Sequence, residues 1–298
     1  MMTKKLITFD WAIKRLLRSK ANFGILEGFL TELLKEDITI LDVLESEANQ
    51  DHQFDKFNRV DLKVRNSKEE IIIIEIQYDR ELDYLQRIFY AATKTAIEHL
   101  NLGQAYSSVI KVISINILYF DLGSGADYIY KGTTNFIGLH DNDRLELTEE
   151  QQALFKHSCV EALYPEFYLI KINRFNDIAK ETLDEWIYFL KNEEIKSSFT
   201  AKGLKEAEEK LSVMKLPEGE RKAYEQYQED LHYQASMFES TYIAGFYKGE
   251  AKGKVEGRAE GIDQATKDIA LNLINQGLAV ESIAMATGLP ETAIKRLL

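Results

Sequence analysis

Two acidic residues on neighbouring predicted strands form the chemically most informative pattern of the sequence. Asp61 lies in the segment 60–64 and Glu75 in the segment 73–77, fourteen positions apart (75 − 61 = 14), with polar residues between them. An antiparallel hairpin of this length folds back so that both carboxylates lie near one point. Gln77 shares a strand face with Glu75, because strand side chains alternate with a period of two. The hairpin therefore gathers two carboxylates and an amide.

Carboxylates in this arrangement suit a divalent cation such as Mg²⁺ or Mn²⁺. Mg²⁺ takes oxygen ligands in near-octahedral geometry and commonly uses only one or two carboxylates, which leaves positions for water and phosphate. Asp61, Glu75 and the backbone carbonyl of Ile76 provide such a partial set. A cation held there would activate water and stabilise charge on a scissile phosphate.

The alternative is that both acids are solvent-facing hairpin residues, as acidic residues in hairpins usually are. The position of Glu75 favours the metal site, because it directly follows four isoleucines. A charge beside such an apolar run is costly unless it has a partner or a purpose.

Several polar residues near the hairpin are candidates for accessory roles. Glu47 precedes Asp61 by fourteen positions (61 − 47 = 14) and adds a third carboxylate, unless it is an exposed loop residue. Gln86 and Tyr90 are four apart and so share a helix face, although Tyr90 is equally typical of a core position. Arg87 lies elsewhere on that helix and is expected to meet a phosphate or a carboxylate.

The elements that must position these residues predict an α/β fold. Four consecutive isoleucines, Ile71–Ile74, are typical of a central strand covered on both faces. Asp10 and Asn22 are the expected N-caps of the first two helices. The third helix is expected to bury Leu85, Ile88, Phe89, Ala92, Ala96 and Leu100. Apolar periodicity predicts helices over 9–17, 25–34 and 81–102, and strands over 38–44, 57–64, 70–77, 109–120, 128–133 and 168–173.

The remainder of the chain is predicted to be helical, over 177–191, 204–214 and 218–262, followed by a small three-helix pattern. Glycine recurs at every fourth position from Gly245 to Gly261, although each costs roughly 0.8–1.0 kcal/mol inside a helix relative to alanine. This stripe indicates either a close helix–helix contact or a solvated, charged linker. The last segment resembles a helix-turn-helix, which either reads DNA or only packs. We therefore expect three parts, 1–176, 177–262 and 263–298.

Charge and cysteine content restrict the classes of function. The net charge of −12 argues against nonspecific nucleic-acid binding by the whole surface, so any DNA-binding region must be local. The basic N-terminal segment is such a region, with Lys14, Arg15 and Arg18 as the candidate DNA contacts. The single cysteine, Cys159, excludes an intramolecular disulfide framework. Without a secretory signal pattern or an apolar run of spanning length, we expect a cytoplasmic protein with no membrane partner.

The combination of motifs resembles a known family, the PD-(D/E)XK nuclease family transposases, also called recombination-promoting nucleases. The motifs cover the first half to two-thirds of the chain: Asp10–Lys14, Asp55–Lys56, Val60–Asp61, Ile74–Gln77 and Arg87–Tyr90. The resemblance implies a restriction-endonuclease-like core, a mixed sheet flanked by helices that carries the acidic residues, followed by a mostly helical C-terminal region.

The resemblance also implies roles for individual residues. Asp61 corresponds to the motif aspartate, Glu75 to the acidic residue of the (D/E)XK element, and Gln77 stands where that element has lysine. The pair Gln86 and Tyr90 resembles an accessory Gln-x-x-x-Tyr element of some nucleases. A glutamine amide supplies neither a base nor a positive charge, so Gln77 is limited to orienting water or phosphate by hydrogen bonding.

The function that follows is a metal-dependent DNA endonuclease of recombination or mobile-element biology, with Asp61, Glu75 and Gln77 as catalytic residues. The main alternative is a weakly active or inactive nuclease-fold protein that binds DNA or another protein, an interpretation that Gln77 and the acidic balance make reasonable. A third is a helical protein whose C-terminal half forms homo-oligomers. Fold alone does not decide between them.

Overall fold

The computed structural model describes residues 6–44, 60–100 and 103–297 of the chain. The chain divides into two compact units, one up to Tyr224 and one from Glu225 to Leu298. The helices of the first unit are α1 (Phe9–Arg15), α2 (Phe23–Leu34), α3 (Tyr84–Glu98), α4 (Glu149–Phe155), α5 (Thr182–Asn192) and α6 (Leu204–Lys210). Its strands are β1 (Ile40–Leu44), β2 (Leu62–Asn66), β3 (Ile71–Gln77), β4 (Val112–Leu118), β5 (Ile129–Gly132) and β6 (Glu166–Lys171).

The six strands form one mixed sheet in the order β1-β2-β3-β4-β6-β5. β2 and β3 are the predicted antiparallel hairpin, in a register that pairs Leu62 with Ile74 and Arg65 with Ile71. β3, β4 and β6 run parallel, and β5 returns antiparallel along the far edge. The four isoleucines of β3 are buried, as expected for a strand with neighbours on both sides and cover on both faces. The predicted mixed sheet flanked by helices is confirmed.

The start of α1 differs from the expectation. Thr8, not Asp10, is the N-cap, and its hydroxyl accepts a hydrogen bond of 3.4 Å from the backbone N–H of Trp11. Asp10 lies inside the first turn, where its side chain is only 2% exposed. Asn22 occupies the N-cap position of α2 but caps nothing with its side chain, which donates instead to the carbonyl of Leu16.

The third helix is shorter than predicted, and only part of its expected apolar face is buried: Ile88 and Ala92 lie in the core, and Ala96 packs against it. Leu85 and Phe89, expected in the core, are 52% and 62% exposed. Ala91, which was not among the expected core residues, packs with Ala92 and Ile73 in a cluster that also contains Val60 and Val112. Small side chains let the helix backbone approach the sheet closely, which leaves the bulkier Leu85 and Phe89 outside this contact.

The expected boundary at 176 does not coincide with a break between compact units. Trp186 of α5 packs against Phe9 of α1 and Phe29 of α2, with ring centroids 6.1 and 5.6 Å apart. Phe189 of the same helix also contacts Phe9. This aromatic cluster fastens α5 to the N-terminal helices, and so the first unit continues to Tyr224.

The second unit is helical. α7 (Glu218–Asn275) is a single helix of 58 residues, followed by α8 (Val280–Thr287) and α9 (Glu291–Ile294). Gly277 and Gly288 adopt positive φ angles of 79° and 72° where α7 and α8 end. Ala270, Ile283 and Ile294 form the small core of the last three helices. None of the described helices combines the length and the apolar character that crossing a membrane requires.

Candidate active site

The hairpin places the two predicted carboxylates at the same end of the sheet. Asp61 directly precedes β2, and Glu75 lies near the end of β3. The Oδ2 atom of Asp61 accepts a hydrogen bond of 2.7 Å from the backbone N–H of Ile76. The carbonyl of Ile76 points to the same side, because the N–H and C=O groups of one strand residue lie on the same side of the strand. Asp61 and the Ile76 carbonyl therefore face a common region.

Glu75 is buried, with 5% of its surface exposed, rather than standing at a wet edge of the sheet. Its carboxylate accepts a short hydrogen bond from Nη2 of Arg87 in α3. Burial raises the pKa of Glu75 to about 7, an effect that the charge of Arg87 opposes and the charge of Asp61 reinforces. The two carboxylates are thus close enough for the charge of one to affect the proton affinity of the other.

Asp61 is held by residues of α1 as well as by β3. The ammonium group of Lys14 lies 3.6 Å from Oδ1 of Asp61 and 2.8 Å from Oδ1 of Asp10. Arg18 donates to the backbone carbonyl of Asp61 at 2.9 Å. Burial raises the pKa of Asp61, whereas the Ile76 N–H and Lys14 act in the opposite direction. Two of the three candidate DNA contacts therefore also support the acidic site.

Gln77 is connected to Glu75 through two other side chains. Its Nε2 atom donates to the carbonyl of Asp79 at 3.1 Å and to Oε1 of Glu81 at 3.2 Å. The same oxygen of Glu81 accepts from Nη1 of Arg87 at 2.6 Å, and Arg87 in turn contacts Glu75. Gln77, Glu81, Arg87 and Glu75 form one continuous polar network.

The accessory residues separate into different positions. Arg87 contacts Glu75, in agreement with the expectation that it meets a carboxylate. Gln86 and Tyr90, in contrast, are exposed, and Tyr90 is 43% accessible. The face of α3 toward Glu75 carries Tyr84 and Arg87 instead, so the Gln-x-x-x-Tyr pair does not extend the acidic cluster. Glu47 lies outside the described residues.

The three basic candidates of the N-terminal segment are exposed but differ in their contacts. Arg15 is exposed on α1, next to Lys14, whose side chain remains 46% exposed although it pairs with Asp10 and Asp61. Arg18 is also exposed while its guanidinium holds the Asp61 carbonyl. Lys14 and Arg18 therefore contact Asp61, whereas Arg15 is exposed on α1 beside Lys14.

Three residues of the site were not among the site residues expected from the sequence. Asp10 is buried beside Lys14, and its spacing of four from Lys14 on a helix is a pattern that predicts such a pair. Glu81 joins Gln77 to Arg87, but its position in a polar loop gave no indication of this. Asn116 pairs with Glu75 in register and accepts from the hydroxyl of buried Tyr84 at 3.2 Å. The sequence signal that could have identified Asn116 is its position as a polar residue within the apolar run of β4.

The donor atoms present are of the kind that Mg²⁺ or Mn²⁺ binds. Two carboxylates and a backbone carbonyl form an oxygen set, and a cation beside buried Glu75 would offset the cost of its charge. Among the described residues, no group of three or more histidine, cysteine, aspartate or glutamate side chains is arranged to hold a metal. A metal ion would therefore be held by only two carboxylates, those of Asp61 and Glu75. Lys14 and Arg87 already neutralise part of the charge of these carboxylates.

Comparison with known proteins gives one match. Neither the curated proteins nor the solved structures yielded a significant similarity to this chain. The family model of the PD-(D/E)XK nuclease family transposases matches residues 7–241, which include α1, the whole sheet and the acidic hairpin. The mixed six-stranded sheet with flanking helices fits the restriction-endonuclease-like fold of such nucleases. Since the match covers most of the sequence, the chain belongs to the PD-(D/E)XK nuclease family transposases.

Proposed function

We propose that this protein is a DNA endonuclease that requires Mg²⁺ or Mn²⁺ and acts in recombination or in the movement of a mobile element. The family to which the chain belongs consists of nucleases related to transposition. The requirement for metal, the DNA substrate and the catalytic residues are proposed in addition. The observation that carries it is buried Glu75, whose pKa is raised to about 7 beside Asp61. Ionisable groups shifted in this way by burial and a like charge are concentrated at functional sites.

Asp61, Glu75 and the carbonyl of Ile76 are the proposed ligands. When bound, the metal ion supplies positive charge at the scissile phosphate and lowers the pKa of water. Arg87 favours the ionised form of Glu75, because its guanidinium lowers the proton affinity of that buried carboxylate. Gln77 orients water or phosphate by hydrogen bonding, since an amide is neither an acid nor a base at neutral pH.

The basic residues of α1 and of the turn that follows it are the proposed contacts for DNA. Lys14 and Arg18 contact Asp61, Arg15 lies next to Lys14 in the chain, and all three are exposed, so they can meet the phosphates that flank the scissile bond. Contacts of this kind position the DNA without reading its sequence. They also counter the repulsion that a chain with a net charge of −12 exerts on a polyanion.

A second candidate function is that of a nuclease-fold protein that binds DNA or another protein without cutting it. The contacts of both carboxylates favour this alternative, because Arg87 and Lys14 occupy sides of Glu75 and Asp61 that a metal ion would need. Gln77 provides no charge to replace the lysine of the (D/E)XK pattern. This alternative predicts binding that is independent of divalent metal.

We further propose that α7 mediates homo-oligomerisation. Its middle carries large apolar side chains that are mostly exposed, among them Tyr233 (68%), Phe238 (57%) and Tyr242 (66%). Apolar side chains on a long helix are typical of helix–helix contact. A light-scattering mass equal to one chain of 34.3 kDa at all concentrations would contradict this assignment.

The experiment that decides between enzyme and binding module is a metal titration on plasmid DNA. Purified protein is incubated with supercoiled plasmid in the presence of Mg²⁺, Mn²⁺, Ca²⁺ or a chelator. The proposal predicts nicked and linear products with Mg²⁺ or Mn²⁺ and none with chelator. Intact plasmid under every condition, together with DNA binding that chelator leaves unchanged, would favour the binding module.

A further inference from the structure

The amide group of Gln77 is held in one orientation by two acceptors. Its Nε2 atom donates to the backbone carbonyl of Asp79 at 3.1 Å and to Oε1 of Glu81 at 3.2 Å. An amide turned by 180° would direct its oxygen at a carbonyl oxygen and a carboxylate oxygen, neither of which can donate a proton. The nitrogen is therefore committed to Asp79 and Glu81, and the amide oxygen is left for other partners.

The same carboxylate oxygen of Glu81 also fixes the second polar side chain of the site. Nη1 of Arg87 donates to Oε1 of Glu81 at 2.6 Å, while Nη2 of Arg87 reaches Glu75. Glu81 thus holds a neutral amide and a guanidinium at once. Its own side chain is 32% exposed, at the loop that leads into α3, so it is not required to fill the core.

We propose that Glu81 is a positioning residue, which holds Gln77 so that its amide oxygen, not its nitrogen, serves the acidic site beside Glu75. This inference rests on the proposed function, because it assigns to Gln77 the role of an oxygen acceptor for a divalent cation or its water. Gln77 then does not stand in for the lysine of the (D/E)XK pattern. The positive charge beside Glu75 comes from Arg87 instead.

A consequence follows for the substitution that restores the lysine. In Gln77→Lys, the new ammonium group would lie within reach of Glu81 and would compete with Arg87 for its carboxylate. The variant would also lose the amide oxygen. We therefore expect Gln77→Lys to weaken divalent-metal binding rather than to improve the enzyme.

The test compares three variants of the full-length chain. Glu81→Leu removes both acceptor oxygens, Glu81→Gln keeps one oxygen acceptor as the conservative rescue, and Gln77→Leu removes the amide. Isothermal titration with Mn²⁺ measures binding without reference to cleavage. Loss of a group that orients a metal ligand typically costs 10–100-fold in metal affinity. We expect about tenfold weaker binding in Glu81→Leu and in Gln77→Leu, and near wild-type binding in Glu81→Gln.

The double variant Gln77→Leu/Glu81→Leu distinguishes positioning from general damage. If Glu81 acts through Gln77, the double variant binds Mn²⁺ no more weakly than Gln77→Leu alone. If instead the two single-variant losses of Mn²⁺ affinity multiply in the double variant, Glu81 acts independently of Gln77. That result would overturn the proposal.

A second readout does not require metal at all. The side-chain amide protons of Gln77, assigned by their loss in Gln77→Leu, are expected to shift and to exchange faster in Glu81→Leu but not in Glu81→Gln. A wild-type protein that binds no Mn²⁺ would contradict the proposed function, while these resonances would still decide the role of Glu81. Resonances of Gln77 that Glu81→Leu leaves unchanged would refute the positioning role.

Discussion

The carboxylate of Asp61 is bound to the backbone N–H of Ile76 at 2.7 Å, which anchors the residue before β2 to the end of β3. Because Ile76 directly follows Glu75, this hydrogen bond sets the spacing of the two acidic side chains. Ordinary hairpin pairing ends at Leu62 and Ile74, so the bond continues the connection beyond the last paired residues. The acidic site is thus built into the register of the hairpin.

The raised pKa of Glu75 predicts how stability depends on pH. The folded protein, with a pKa of about 7 against an ordinary value of 4.5, holds this proton more tightly than the unfolded chain does. Stability contributed by the proton is therefore fully present below pH 4.5 and is lost as pH rises through 7, by roughly 3 kcal/mol in the absence of metal.

Glu75→Gln should remove this dependence. Urea unfolding in chelator from pH 4.5 to 8.5 is expected to show the variant gaining stability relative to wild type as pH rises. The raised pKa of Asp61 adds a slope of the same sign to both proteins, so the difference between the two curves reports mainly on Glu75. Parallel stability curves for the two proteins would mean that Glu75 titrates normally.

Arg87 should control the proton affinity of Glu75. Arg87→Met removes the cation that lowers the pKa of this carboxyl, so the pKa should rise above 7. Carboxyl ¹³C chemical shifts measured against pH provide the value. Arg80→Met is the matched control, because Arg80 is an exposed arginine of the same loop region that makes no contact with Glu75. An unchanged Glu75 titration in Arg87→Met would contradict the ion pair.

The aromatic cluster around Trp186 predicts where the chain can be shortened. A fragment ending at Tyr224 retains α5 and should unfold cooperatively, whereas a fragment ending at Asn176 loses Trp186 and Phe189 and should not. Trp186→Ala in the longer fragment is expected to cost roughly 3–5 kcal/mol of unfolding free energy. Circular dichroism during urea unfolding measures both effects. Cooperative folding of the shorter fragment would support the expected boundary at 176.

Arg15 should contribute to DNA affinity through phosphate contact. Arg15→Ala is expected to weaken binding to all sequences alike and to reduce the slope of log K against log salt concentration by about one. Arg144→Ala is the control, since Arg144 is exposed near Lys111 and Glu166, at the opposite end of the sheet from Asp61. Equal losses in the two variants, measured by fluorescence anisotropy, would argue against a DNA surface on α1.

The hairpin could be predicted from the sequence because its determinants are local. Four isoleucines define a central strand, a polar segment defines the turn, and the alternation of side chains assigns Glu75 and Gln77 to one face. The acidic pair of the site could therefore be predicted from residues that are close in the chain.

The partners of that pair could not be predicted, because they depend on packing between distant elements. Periodicity correctly predicts that Ile88 and Ala92 of α3 are buried, but it does not reveal that Ala91 joins them while Leu85 and Phe89 face outward. That choice is what directs Arg87 at Glu75. In the same way, the packing of α1 brings Asp10 and Lys14 to Asp61. The role of the glycines of α7 was also ambiguous from the sequence. In the structure, the helix continues through them to Asn275.

Cleavage by alanine variants of the acidic pair tests the central claim most directly. Asp61→Ala and Glu75→Ala, compared with Glu98→Ala as a control acid outside the site, are assayed on supercoiled plasmid with Mg²⁺ at matched thermal stability. Each of the two site variants is expected to lose roughly a hundredfold or more of the nicking rate, while Glu98→Ala retains it. Nicking that persists at the wild-type rate in both Asp61→Ala and Glu75→Ala would contradict the assignment of these carboxylates as the active site.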